Sequence, residues 1–283
     1  MINVLSCQLD NALVDHLFEL VDASLFTPTS CYDVESNNCA IEVFFEDLSQ
    51  ADQIKAELTK AAALMDISLK FTLSTIAQSD WAESWKRFFH VEHISKRIVI
   101  RPSWEHYTAQ SGEYVITLDP GMSFGTGKHA TTKGCLILLD QLAAECAKRD
   151  FLDMGCGSGI LSIGACLLGF QSVRGFDNDP DCVRIAQENA ELNGLEIPFY
   201  LSDLEQSHPA AAVVTANILA SILIQFASTI AASVAQGSGS RLVLSGILDT
   251  QYNGVKECFE KLGFIELRNT LIEEWRSGVF SRA

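Results

Sequence analysis

Positive charge is scarce in this chain: 20 Lys and Arg stand against 36 Asp and Glu, a formal net charge of −16 over 283 residues. Tight, non-specific binding to nucleic acid needs clustered Lys and Arg to meet phosphates, so no direct nucleic-acid contact is expected. A basic protein partner is compatible with that charge, because opposite charge speeds encounter. An acidic surface also serves solubility alone. No two of the nine cysteines are spaced as Cys-x-x-Cys, which argues against a zinc knuckle or a redox dithiol. Several lie in apolar contexts such as Ile163-Gly164-Ala165-Cys166-Leu167, which predicts buried free thiols in a reducing, cytoplasmic compartment. Met1–Asp10 has no basic start before an apolar stretch, so no secretory signal is expected. No uncharged apolar run makes a convincing membrane span. The nearest, Ala210 to Ala235, carries Asn217, Ser221 and Gln225 and reads better as a strand and a helix. His90-x-x-His93 has no third ligand nearby, so no metal site is expected. Internal repeats and low-complexity segments are also absent.

What is present is 48% hydrophobic residues, enough for one large domain and a small one. The first part alternates in the order β-α-β-β-α-β. Ile2–Leu9 reads as a strand and Asp10–Ala23 as a helix; Ser30–Glu35 and Cys39–Glu46 read as strands joined at Asn37-Asn38. Gln50–Met65 reads as a helix and Ile67–Leu73 as a strand, which together make a ferredoxin-like α+β unit over residues 1–78. Ser79–Phe89 reads as a separate helix with Trp81, Trp85, Phe88 and Phe89 at helical spacing, the core of a linker over residues 79–95. Its aromatic face suits packing between domains, or a lever that sets how one domain presents something to the other.

Residues 96–283 form the second domain. Ile98–Arg101 and Tyr114–Thr117 are short strands leading into it. From Thr131 strands and helices alternate regularly, which predicts an open, mostly parallel α/β sheet with helices on both faces. Its strands are Phe151–Met154, Ser172–Phe176, Phe199–Leu201, Val213–Ala216 and Arg241–Ser245, with Phe264–Glu273 and Trp275–Arg282 as a closing antiparallel pair.

The chemistry concentrates after the first of these strands. Phe151-Leu152-Asp153-Met154 runs into Gly155-Cys156-Gly157-Ser158-Gly159 and a helical stretch, Ile160–Leu168. Alternate glycines let the backbone turn tightly and let a ligand lie against it. The helix beyond offers free N–H groups and a positive dipole end, which hold a carboxylate without a basic side chain. Asp153, at the strand's end, is placed to pair with an ammonium group. Asp177 ends the next strand and suits ribose hydroxyls, a role that a dinucleotide site would equally require. The Gly-x-Gly-x-Gly spacing and Asp153 favour S-adenosylmethionine over a dinucleotide, whose fingerprint is Gly-x-Gly-x-x-Gly. Asp179-Pro180 reads as a helix cap and first helical residue, and Gly194 as the residue just past that helix.

Two further segments point at the same crevice. Asp119-Pro120-Gly121-Met122-Ser123-Phe124-Gly125-Thr126-Gly127-Lys128-His129-Ala130-Thr131-Thr132 surrounds one phenylalanine with glycines and hydroxyls, and such loops fold over ligands. Thr131 or Thr132 would cap the next helix or bond the ligand. Lys128 is followed by His129, so this is not a P-loop. Val213–Ala216 runs into Asn217, which faces the crevice, caps a helix, or does both.

These segments resemble the ribosomal protein L11 methyltransferase family (PrmA-like). DWAESWKRFF with IVIRPSW, DPGMSFGTGKHATT, FLDMGCGSGILSIGA with GFDNDP, and TANILA with LSGIL carry the likeness in order over the last 200 residues or so. The resemblance implies a Rossmann-like class I methyltransferase sheet behind a small N-terminal domain that recognises the substrate. It implies S-adenosyl-L-methionine as cofactor and methylation of amino groups of ribosomal protein L11, on lysine side chains or the N-terminal amine, by a monomeric cytoplasmic enzyme. Cofactor positions carry over onto Thr132, Gly155, Asp177 and Asn217; Gly157, Gly159, Asp153 and Phe124 join them from the motifs themselves. Asn217 is also the candidate for positioning the amine. Lys128 and Ala130 depart from the family's pattern. Two alternatives stay open: a methyltransferase for another protein or a small molecule, and a cofactor-binding module without catalysis. Intact Thr132, Gly155, Asp177 and Asn217 speak against the second of these.

Overall fold

The computed structural model describes residues 2–10, 13–14, 17, 20–21, 29–32, 38–45, 47–65, 67–76, 89–119, 129–146, 149–237 and 239–282. The expected aromatic helix over Ser79–Phe89 lies outside them except for Phe89, as do Phe124, Lys128 and most of the helix expected over Asp10–Ala23. The chain divides into two compact units, Met1–Phe88 and Phe89–Ala283.

The first unit has a four-stranded antiparallel sheet of β1 (Ile2–Asp10), β2 (Thr29–Tyr32), β3 (Asn38–Phe45) and β4 (Thr72–Ile76), in the order β2-β3-β1-β4. That order is the one a β-α-β-β-α-β chain gives when its two halves interleave. Helix α1 (Ala51–Ala63) follows a short 3₁₀ turn over Leu48–Gln50, which the Asp47 side chain caps through the Ser49 N–H. Ile54 and Leu58 of α1 pack on Leu5, Ile41 and Val43, together with Val14 and Leu17 at helical spacing. The last strand starts later than Ile67–Leu73. Ile67, Leu69 and Phe71 do pack against this core, but backbone pairing with β1 begins only at Thr72 opposite Ser6. Alternation reported the packing face and not the ladder.

The second unit opens with a small sheet in which β5 (Glu92–His93), β6 (Ile98–Arg101) and β7 (Tyr114–Thr117) are neighbours in that order. Residues 92–93 are thus a strand, where the linker was expected to continue. His90 pairs with Glu105, and His93 approaches Glu113, which also accepts from the Tyr107 hydroxyl and the Gln110 N–H. Next come α2 (Ala130–Cys146), β8 (Asp150–Met154), α3 (Ile160–Leu167), β9 (Gln171–Asp177), α4 (Pro180–Leu192), β10 (Phe199–Leu201) and β11 (Val213–Asn217). They are followed by α5 (Ala220–Gln225), α6 (Ala227–Ala232), β12 (Arg241–Leu248), α7 (Asp249–Glu260), β13 (Phe264–Ile272) and β14 (Trp275–Arg282). Among the described residues no helix is long and apolar enough to cross a membrane.

The large sheet has the order β10-β9-β8-β11-β12-β14-β13. Its first five strands are parallel, and β14 and β13 are antiparallel additions at one end. Side chains alternate between two cores. Phe151, Val213 and Val243 face α2 and α3; Leu152, Val214 and Leu242 face α5 to α7. Strand order reverses between β8 and β11, so the chain leaves their carboxyl ends in opposite directions and opens a crevice there. Asp179 caps α4 through the Asp181 N–H with Pro180 as its first residue, and Gly194 follows the helix at φ +67°.

Candidate functional site

A cleft of about 740 Å³ opens at this reversal. Gly155 and Gly157 line it after β8, Asp177 to Asp179 after β9, Asn217 to Leu219 after β11, and Gly246 on β12. Pairing of Met154 with Phe176 and with Ala216 sets Gly155, Asp177 and Asn217 at one level. His129, Thr131 and Trp275 close one side.

The glycine loop is held from below and from the side. Gly155 has φ +72°, and a Cβ there would sit 2.7 Å from Ile218 Cγ2, so only glycine fits between the loop and β11. The Gly157 N–H donates to Asp177 Oδ2 at 2.9 Å, and the Asp179 N–H donates to Asp177 Oδ1 at 3.1 Å. Asp177 thereby stitches the loop to the start of α4. Asn189 on α4 donates to the Ser158 carbonyl at 2.8 Å. Gly159 does not line the cleft. It precedes α3 and packs on Ala186 and Phe199, so its missing side chain serves helix packing.

Asp153 needs a correction. It is 0% exposed and does not line the cleft. Its Oδ2 accepts from Ser162 Oγ at 2.9 Å and its Oδ1 from Thr215 Oγ1 at 2.8 Å. No surface is left for an ammonium, and its place is beneath the loop. The parity of the strand explains why: residue 153 shares the face of Phe151, which α3 covers. Burial pushes its carboxyl up to about 6, the two hydroxyls pull the other way, and the charge of Asp177 adds to the rise.

Two polar residues at and just behind the lining are less satisfied: Asn217 lines the cleft, and Thr132 lies behind its neighbour Thr131, which does. Thr132 is 1% exposed, and its Oγ1 has no hydrogen-bond partner. Asn217 Oδ1 is also buried without a partner. Neither residue caps a helix: α2 begins at Ala130, before Thr132, and the residue preceding α5 is Leu219. Thr131 Oγ1 bonds His129 Nδ1 at 2.8 Å, and the His129 ring meets Trp275 edge-on at 5.1 Å between centroids. A buried polar atom without a partner costs about 1–3 kcal/mol, which a ligand that supplies the partner would recover.

The cleft's charge is one-sided. Asp177, Asp179, Asp203 and Glu205 line it; among the described residues no Lys or Arg does. Cys182 also lines it, and its thiol is pushed up to about 11 by burial first and then by Asp177, Asp179 and Asp181. Most of the rest is apolar: Phe176, Leu204, Ile218, Leu219, Ile222 and Phe226, with Asn178 and Ser202 as further polar residues. His208 lies flat on Phe176 at 3.9 Å and reaches the Asp203 carbonyl at 3.0 Å. Such a site takes a cation with one apolar side.

Asp203, Trp275 and Gly246 also line the cleft, beyond the residues that the sequence predicts. Asp203 follows the carboxyl end of β10, so the rule that found Asp177 and Asn217 would have found it. Trp275 carried no local signal beyond its place at the start of a strand.

Known proteins share this architecture. The family model described as ribosomal protein L11 methyltransferase (PrmA) matches residues 15–283. The ribosomal protein L11 methyltransferase of Desulforapulum autotrophicum is 39% identical over 241 residues, 83% of this chain and 78% of the relative. That of Geobacter metallireducens is 41% identical over 210 residues, 74% of this chain and 67% of the relative. Among solved structures, a ribosomal protein L11 methylase from Lactobacillus delbrueckii subsp. bulgaricus superposes with a TM-score of 0.62 at 29% identity, covering 69% of this chain and 98% of its own. With a cleft at the strand reversal and a family match over nearly the whole chain, the protein belongs to the ribosomal protein L11 methyltransferase family.

Proposed function

We propose that the chain transfers the methyl group of S-adenosylmethionine to amino groups of ribosomal protein L11. The observation that carries this reading is the pair of buried, unpartnered atoms, Thr132 Oγ1 and Asn217 Oδ1, beside an acidic, glycine-lined cleft. These residues fit the cofactor. Asp177 would take its ribose hydroxyls, the backbone at Gly155 and Gly157 would lie against it, and Thr132 and Asn217 would supply the remaining polar contacts. When bound, S-adenosylmethionine supplies a methyl group already activated on a positively charged sulfur.

The protein's own part is alignment. The carboxylates of Asp177, Asp179, Asp203 and Glu205 favour a cationic ligand over a neutral one. Ile218, Leu219 and Trp275 give the cleft apolar surface against which an acceptor would be partly desolvated. An acceptor nitrogen must be neutral to attack. At pH 7 that costs roughly 4.6 kcal/mol for a lysine and about 1 kcal/mol for an α-amine. The apolar walls lower that cost by disfavouring the ammonium form, and Asn217 Oδ1 accepts an N–H and points the lone pair inward. The first unit would recognise L11: residues 1–88 carry 14 Asp and Glu against 5 Lys and Arg, a balance that suits a basic partner.

Purified protein, labelled S-adenosylmethionine and purified L11 test the reading directly. Label should appear on L11 amines. Transfer to another acceptor but not to L11, or cofactor binding with no transfer at all, overturns it.

A further inference from the structure

Within the LSGIL segment, Ser245 and Gly246 sit where the β12–β14 register shifts, between Leu244 and Ile247. Bulges of this kind re-aim side chains beside active sites. Gly246 has φ +80°, and a Cβ there would meet the Ile218 carbonyl oxygen at 2.3 Å, so β12 lies hard against the chain that leaves Asn217. Ser245 is register partner to Asn217 and is 0% exposed. Its hydroxyl crosses to the first turn of α2 and donates to the Thr131 carbonyl at 3.1 Å. A carbonyl only accepts, so the single Ser245 proton is committed there. Ser277 on β14, 2.7 Å away, must then be the donor to Ser245 Oγ. Gly134 lets α2 come this close, since a Cβ there would lie 2.5 Å from Ser277 Oγ. The Cys135 thiol belongs to the same cluster and is pushed up to about 12 by burial, with Ser245 pulling the other way.

This buried link joins the segment that bears Thr131 and Thr132 to β12, where Ser245 is paired in the ladder with Asn217 of β11. We infer that Ser245 is a positioning residue for methyl transfer: through the Thr131 carbonyl it fixes where the unpartnered Thr132 stands relative to Asn217. The inference rests on the proposed cofactor site. Ser245 is fully buried and does not line the cleft, so its effect is on alignment and not on the ribose-side contacts proposed at Asp177.

Ser245→Ala, Ser245→Cys and Ser277→Ala are compared by three readouts: turnover at saturating donor and L11, Kd for S-adenosylhomocysteine, and Tm. Ser277→Ala breaks the same hydroxyl pair but leaves the Ser245–Thr131 bond, so it is the control for lost stability. Ser245→Ala is expected to lower kcat about 10-fold while the Kd moves less than about threefold. Ser245→Cys, which keeps the site filled with a weak donor, should show the same split and serves if the alanine variant does not fold. Ser277→Ala should lose comparable Tm with kcat within about twofold. Equal kcat losses in the Ser245 and Ser277 variants, or full kcat in both Ser245 variants, overturn the inference. Wild-type protein that binds no S-adenosylhomocysteine overturns the cofactor reading itself, and this inference with it.

Discussion

The two walls of the cleft differ in how complete they are. On the β9 side, both carboxylate oxygens of Asp177 already hold backbone N–H groups, and the loop that they fix is further tied by Asn189. On the β11 side, Asn217 Oδ1 has capacity that the protein does not use, and so has Thr132 Oγ1, buried behind the lining residue Thr131. One wall is built for folding and binding together. The other is built for binding alone, at some cost to stability. Mutations should therefore move stability in opposite directions on the two walls while weakening the ligand on both.

The largest break is expected at Asp177. Asp177→Ala removes two charge-assisted hydrogen bonds to the backbone and the proposed ribose partner. Calorimetry with S-adenosylhomocysteine should show affinity falling by about 100-fold or more, roughly 3 kcal/mol, alongside a lower Tm.

Asp153 tests the floor between the walls. Its folded value of about 6 lies above the ordinary 3.8, so the folded protein holds the proton more tightly than the unfolded chain. That contribution is complete below about pH 4 and is lost as pH rises through 6, by up to about 3 kcal/mol. Chemical denaturation from pH 4 to 7 should show Asp153→Asn as the flatter profile, with its advantage over wild type greatest at pH 7. A variant whose profile runs parallel to wild type sinks this assignment.

The smallest stability effect, and the one with the telling sign, belongs to the unsatisfied wall. Thr132→Val and Asn217→Ala each delete a buried atom that has no partner. Tm should hold or rise, by the equivalent of about 1 kcal/mol for Thr132→Val, while turnover at saturating cofactor drops. Near-normal turnover for Asn217→Ala would remove its role in positioning the amine.

Much of this was legible in the sequence, for reasons that also mark where legibility ends. Parallel strands buried on both faces read as apolar runs, and β8, β9, β11 and β12 were found to within a few residues. Polar residues at their carboxyl ends, Asp177 and Asn217, were found by the same logic and do line the cleft. Asp153 was misplaced because a strand's end says where a side chain sits along the sheet, whereas its face follows from counting back to Phe151. Thr132 was in reach only through a resemblance, since nothing local separates a ligand hydroxyl from a helix-capping one. Ser245 was quoted as part of a motif with no role, because its partners Thr131 and Ser277 come from segments 114 residues before it and 32 after it.

The position of β14 has a consequence for how the protein comes into being. In the chain it follows β13, but in the sheet it lies between β12 and β13. Strand β13 is synthesised first and, among the described residues, has no sheet neighbour other than β14. Trp275, the first residue of β14, lines the cleft, and among the described residues every other one that lines it comes earlier in the chain. A growing polypeptide can therefore form the glycine loop, the Asp177 stitch and the β11 strand end while one side of the crevice still stands open. Completion of that side requires β14 to enter between β12 and β13, out of chain order, so the site depends on a long-range pairing that the rest of the crevice does not need.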